Sequence, residues 1–296
     1  MQQLNFFPYL ILLVVLVQSC ASIEDVTPYA PVEMYPTDKT LESLENKRAM
    51  IVLAHDDDMC AMSGTISRLN SLGWEIRVIS SPNNPGRDAA QIKACTFILD
   101  SVLFYRNSLD EIRLDLDTNK APFRAIDRSL FPKIYKDSGL REEITEQINR
   151  FQPSVVFTLD DEMGGYGHPD HIMVSSMVLD LAHSKSIRPQ FIYQSVYTDH
   201  MENTIMDRHR RRLEQWGLPS DGWEYAKATY GVTGMPTPSV QVNIEAQATS
   251  KMNYLCSYNE RERKTVGFFI PAFFDYSAAD YFKIFDREFF RVLRFD

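Results

Sequence analysis

The chain has 296 residues, 44% hydrophobic and 24% charged, which is enough apolar material for one large core or for a core with a smaller annex. Gly, Pro and Cys are not enriched, so the composition excludes collagen-like, disordered and disulfide-stapled architectures. A net charge of −9 argues against nucleic acid as a partner, because affinity for phosphate backbones comes from clustered Lys and Arg.

From the N-terminus, residues 1–19 carry no Lys, Arg, Asp or Glu, and Leu10 to Val17 are continuously apolar. That run is too short to span a bilayer, which needs about 20 apolar residues, and it fits the apolar core of a signal peptide. Val17-Gln18-Ser19-Cys20 resembles a bacterial lipobox, so Cys20 is the expected lipidation site and the chain an exported, membrane-anchored lipoprotein of the cell envelope. Residues 20–46, rich in Pro, Glu, Asp and Thr without periodicity, read as a tether, and 47–296 as the domain it carries. Beyond Cys20, the cysteines Cys60, Cys95 and Cys256 form no CxxC pair and imply no disulfide framework.

Within the domain, Ala49 to Leu53 is a continuous apolar run of strand length, and Cys60 to Leu72 carries helical spacing that stops at Gly73. Strand Trp74 to Ile79, helix Asp88 to Leu99 and strand Val102 to Tyr105 follow. After a weakly periodic insertion from Asn107 to Asp137 come a helix Leu140 to Phe151, a strand Ser154 to Leu159, a helix opening at Pro169 and running to about His183, and a strand Phe191 to Val196. This alternation, with strands apolar on both faces, predicts an α/β domain with a doubly wound, mostly parallel sheet covered by helices on both faces. Farther on, helices are expected from Asn203 to Trp216, Gln247 to Arg263 and near Ala278 to Leu293. The basic run Arg208 to Arg212 reads as a solvated helix face.

Two clusters stand beyond strand ends. Ala54-His55-Asp56-Asp57-Asp58-Met59 follows the first strand, and His168-Pro169-Asp170-His171 follows the Gly-rich stretch Gly164 to Gly167. In an open parallel sheet ligands bind beyond the carboxyl ends of strands where the strand order reverses, so the clusters can meet there. His and Asp are zinc ligands, Pro169 suits a first helical turn, and three adjacent carboxylates repel one another unless a cation is near. Either cluster alone reads equally well as an acidic turn or a helix cap; together they point to a metal site. No Gly-x-Ser-x-Gly elbow and no Walker-type loop is present.

At these residues the sequence resembles the PIG-L/LmbE-like family of zinc-dependent N-acetylglucosaminyl deacetylases. That family carries His-Pro-Asp-Asp-Glu after the first strand and His-x-Asp-His downstream, in a Rossmann-like domain. The resemblance runs from about Ala49 to Ala182, with a weaker echo at Lys251 to Tyr258. It implies zinc held by His55, Asp58 and His171, Asp57 as general base, His168 steadying or protonating the reacting amide, and Arg87 as a substrate contact. The implied substrate is an N-acetylated sugar or glycoconjugate. Two departures stand out: Asp56 replaces Pro, and Met59 replaces Glu, a loss of a hydrogen-bonding group that near metal ligands typically costs about 10 to 100-fold. Amidase action on another amide, and a lipoprotein that binds metal and glycan without turnover, are the competing readings.

Overall fold

The structure, a computed structural model, describes residues 23–116, 123–136 and 138–295. Cys20 and the signal segment lie outside the described residues. Seven strands form one sheet in the order β3-β2-β1-β4-β5-β7-β6. They are β1 (Arg48–Val52), β2 (Glu75–Ser80), β3 (Ser101–Phe104), β4 (Val155–Leu159), β5 (Phe191–Val196), β6 (Val240–Asn243) and β7 (Arg287–Arg294). The strands β3 to β5 run parallel, with Val52 beside Ile79 and Ile51 beside Phe157; β7 and β6 close one edge antiparallel. The strand order reverses between β1 and β4, so the carboxyl ends of these two strands flank the crevice expected of a Rossmann-like sheet.

Alternate residues of β1 serve two cores. Ala49 and Ile51 face one with Ile76, Val78, Phe157 and Phe289, while Met50 and Val52 face the other with Ile79, Ile144, Ile148 and Val178. Both faces are therefore covered, which is why the parallel strands read as unbroken apolar runs.

Four expectations need correction. Residues 23–46 do not hang free as a tether. Val26 is fully buried, Glu24 pairs with Arg208 at 2.6 Å, and the buried Asp38 carboxylate accepts the Tyr193 hydroxyl at 2.7 Å. The same stretch lies along the edge strand β6: Gln241 N–H donates to Pro36 O and Asp38 N–H to Gln241 O, both at 2.9 Å, which covers an edge otherwise open to pairing. Its few apolar anchors are spaced by prolines rather than by a helical or strand period, so no pattern marked them. Arg208, at 4% exposure, is also not part of a solvated face; Arg210 and Arg211 are, paired with Asp207 and Glu214.

Third, the C-terminal helix stops at Ile284 and Arg287–Arg294 is strand. Phe289, Phe290, Val292 and Leu293 satisfy either period; the contacts of Phe290 with Phe157 and Tyr193, both at 5.7 Å between ring centres, settle it as strand. The helix expected over 247–263 is two, Ala248–Cys256 and Glu260–Val266, the second opened by a capping box of Asn259 and Glu262. Among the described residues no helix is long and apolar enough to cross a membrane.

Candidate metal centre

The chain leaving β1 is pinned before it reaches the first cluster. Leu53 N–H donates to Ile79 O at 3.0 Å and the Tyr105 hydroxyl to Leu53 O at 2.9 Å. The Asp58 carboxylate then closes the turn, its Oδ2 accepting the His55 N–H at 2.8 Å. Its other oxygen lies 3.1 Å from His171 Nε2.

The second cluster is built by Asp160, just past β4. This buried carboxylate accepts N–H groups of Glu162 (3.1 Å), Gly164 (3.1 Å) and Gly165 (2.8 Å), curling the Gly-rich loop back toward the helix Pro169–His183. Gly164 sits at φ +57°, and a Cβ there would lie 2.9 Å from His171 Cβ, so only glycine lets the loop approach this closely. The loop thereby presents Gly164 O to His171 Nδ1 at 2.8 Å. His168 caps the helix, its Nδ1 accepting the Asp170 N–H at 3.2 Å.

The three histidines converge, with ligand nitrogens all within 4.8 Å of one another, and this triad could hold a metal ion. Hydrogen bonds on the far side of each ring decide which nitrogen is offered. Donation to Gly164 O leaves the lone pair of His171 on Nε2. His55 Nε2 lies 3.3 Å from Asp170 Oδ2, and donation there leaves the lone pair on Nδ1. These two nitrogens face each other at 2.9 Å, with Asp58 Oδ2 3.8 Å from His55 Nδ1. Two lone pairs and a carboxylate at such spacing repel unless a cation or a proton lies among them, so the donor set fits a divalent ion. Electrostatics agrees. Burial opposes charge on His55, but Asp170 and Asp58 outweigh it and hold its pKa well above the ordinary value. Burial likewise opposes ionisation of Asp58, and His171 and His55 outweigh it and hold its pKa well below the usual range.

His168 differs. Burial first, then the neighbouring charges of His171 and His55, push its pKa well below the ordinary value, so it is neutral. With Nδ1 engaged by the cap, a neutral ring carries its hydrogen on Nε2, where it can donate.

The acidic turn is neutralised from the helix Pro85–Cys95. Arg87 Nε lies 2.8 Å from Asp56 Oδ2 and its Nη2 3.1 Å from Asp57 Oδ1. Asp56 is 1% exposed, and burial and the charge of Asp57 lift its pKa to about 6 against the opposing pull of Arg87. Its carbonyl accepts the hydroxyls of Tyr258 (2.9 Å) and Tyr254 (3.3 Å), so the segment that echoed the family pattern near the C-terminus clamps this loop. Asp57 is the carboxylate of the turn left facing a cavity, beside Asp58 and His171. Met59, where the family pattern has Glu, packs into the core at 1% exposure. Cys60 lines the same cavity as Asp57.

Several residues of the site were not marked by the sequence. Arg113, 5% exposed and drawn from the insertion, binds Asp170 Oδ1 at 3.1 Å and Asp115 Oδ2 at 2.9 Å, and the Tyr135 hydroxyl donates to the same Asp170 oxygen. Asp170 is thus held from behind while its other oxygen orients His55. Partners of this kind are typically worth about 10 to 100-fold in metal affinity. Arg113→Met should therefore weaken zinc binding by about that factor in a competitive chelator titration, and an unchanged affinity would mean Asp170 holds its orientation without it. Nothing local in Ile112-Arg113-Leu114 announces this role; it arises from the bridge that pairs Arg113 with Tyr135 across the insertion. Glu288 of β7 is similar: it pairs with the buried Lys251 and accepts the N–H groups of Gly64 (2.9 Å) and Thr65 (2.6 Å), tying the helix that follows the acidic turn to the antiparallel edge.

Residues 50–182 match the family model of PIG-L, GlcNAc-PI de-N-acetylase. No curated protein matches the chain. Among solved structures it is similar to N,N′-diacetylchitobiose deacetylase from Pyrococcus horikoshii, with 14% identity over 86% of this chain and 89% of that one and a TM-score of 0.46. It is similar at 13% identity to the 4-carboxy-2-hydroxymuconate hydratase GalB from Pseudomonas putida, over 83% of this chain and 96% of that one, TM-score 0.47. The zinc-inhibited form of teicoplanin deacetylase Orf2 matches at 14% identity, over 84% of this chain and 99% of that one, TM-score 0.45.

Proposed function

We propose that the chain, whose residues 50–182 match the PIG-L family model, is a zinc-dependent hydrolase that removes acetyl groups from amino sugars of the N-acetylglucosamine type or their conjugates. The observation that carries this reading is the approach of His55 Nδ1, His171 Nε2 and the Asp58 carboxylate at the strand-order reversal, with Asp57 beside them in the cavity. In this reading His55, Asp58 and His171 hold the ion. A bound zinc ion would polarise the amide carbonyl and make water acidic enough to be deprotonated near neutral pH.

The chain's own groups do the rest. Asp57 takes a proton from the attacking water, as a carboxylate open to the cavity can. Arg87 holds Asp57 in place, and its side chain, 23% exposed, is the substrate contact in this reading. The neutral His168, with hydrogen on Nε2, donates to the developing oxyanion or to the departing amine. Lipidation at Cys20 and residence in the cell envelope belong to the same proposal.

The test is acetate release by the purified, zinc-loaded protein from N-acetylglucosamine and its conjugates, with a chelator control. Release that stops on chelation and returns with zinc supports the reading. Full metal loading with no release from any amide would leave a binding protein instead.

A further inference from the structure

Glu202 is a buried carboxylate with no part in the reaction above. It stands in the first turn of the helix Asp199–Gln215, just past β5, and its two oxygens serve different segments of the chain. Oε1 accepts the Trp223 indole N–H at 3.1 Å, and Oε2 accepts the Met235 backbone N–H at 2.8 Å. Each partner is a wall of the site. Met235 borders the cavity that Asp57, Asp58 and His171 also line, where its sulfur accepts the Tyr197 N–H at 3.1 Å. Trp223 borders the cavity on the side of His168.

The Trp223 arm reaches farther. The helix Gly222–Tyr230, to which Trp223 belongs, lies against the turn that delivers His168: the Tyr230 hydroxyl donates to Gly167 O at 3.2 Å, and a Cβ on Gly167 would lie 2.3 Å from Ala226 Cβ. One carboxylate thereby joins the backing of His168 to the wall beside Asp57. Lys227, whose charge favours ionisation of Glu202, is itself paired with Glu224 at 2.8 Å, and the buried Asp160 opposes it. An apolar side chain of similar size would cost less to bury, so the two donors that Glu202 collects explain its place.

We propose that Glu202 is a positioning residue for the hydrolysis: acting through Trp223 and Met235, its carboxylate sets the placement of His168 against the Asp57 side of the site. This rests on the hydrolase reading above. The ionised form is the one that serves, since a carboxylate is acceptor-only whereas a carboxyl must place a hydrogen of its own between two donors. Burial first, then the charge of Asp160, lifts the Glu202 pKa to about 7 against the opposing N–H groups of Met235 and Trp223 and the charge of Lys227. The two arms are therefore held together above that pH and slacken below it.

Glu202→Gln keeps the shape but offers one acceptor oxygen and one donor amide, so it can take only one of the two N–H groups. On the full chain it should keep zinc at the unmutated level, because His55, Asp58 and His171 are untouched. At about pH 8 it should lower kcat/KM for acetate release from N-acetylglucosamine by about tenfold or more, as a misplacement away from the chemistry does. The deficit should close toward about pH 6, where the unmutated side chain is protonated as well, whereas a purely structural defect would persist at every pH. A second readout needs no substrate. The emission of Trp223, taken as the difference from Trp223→Phe in each background, should shift with a midpoint near pH 7 in the unmutated protein and show no such shift with Glu202→Gln. Loss of zinc from the variant, equal kcat/KM, a deficit that ignores pH, or emission that titrates alike in both backgrounds or in neither overturns the positioning role and leaves the hydrolase reading standing. Absence of acetate release from either protein overturns the hydrolase reading and this role with it.

Discussion

Asp57→Asn should keep zinc near the unmutated level while turnover falls by about 10² to 10⁴-fold, the usual worth of a positioned general base. Its carboxylate contacts Arg87 and faces the cavity, whereas the two histidine nitrogens that would hold the ion are approached by Asp58. Asp58→Asn should behave differently. One of its oxygens lies 3.1 Å from His171 Nε2 and the other takes the His55 N–H, so loss of its charge should lower zinc occupancy first and activity as a consequence. Asp56→Asn removes the carboxylate that faces Arg87 and should be read out mainly in the stability of the turn. Paired measurements of zinc content and amide hydrolysis on the three variants check this. If Asp56→Asn, rather than Asp57→Asn, is the variant that keeps zinc and loses turnover, the assignment is displaced by one residue.

Much of the scaffold that places these carboxylates could be read directly from the chain. Helices Leu140–Phe151 and Pro169–His183 and strand β5 fall where periodicity and Pro169 put them, because each element buries a regular apolar pattern and begins or ends at a local signal. The two clusters were legible for the same reason: they follow strands whose order reverses between β1 and β4. What escaped reading depends on distant partners. β7 is defined by packing on β5 and Phe157, residues far away in sequence, and its apolar spacing suits helix as well as strand. The segment 23–46 is ordered by Val26, Asp38 and Glu24 finding a core, Tyr193 and Arg208, none of which a composition rich in Pro and acidic residues reveals. Arg113, Tyr135 and Asp160 act by orienting other side chains or the backbone, so their residue types carry no signature of a metal site.

The histidine pair sets the second large effect. His55 Nδ1 and His171 Nε2 are aligned by Asp170 and Gly164 O behind them, and neither has a substitute within the first cluster, whose other carboxylates Asp56 and Asp57 are directed to Arg87. Removing both imidazoles should abolish metal binding while sparing the core, since the backbone of each cluster is held by Leu53, Asp160 and the helix cap. The most direct measurement is the elemental metal content of the purified protein and of the His55→Ala, His171→Ala double variant after identical zinc loading and dialysis. The account predicts close to one zinc per chain in the unmutated protein and almost none in the double variant; full metal content in the double variant would contradict it.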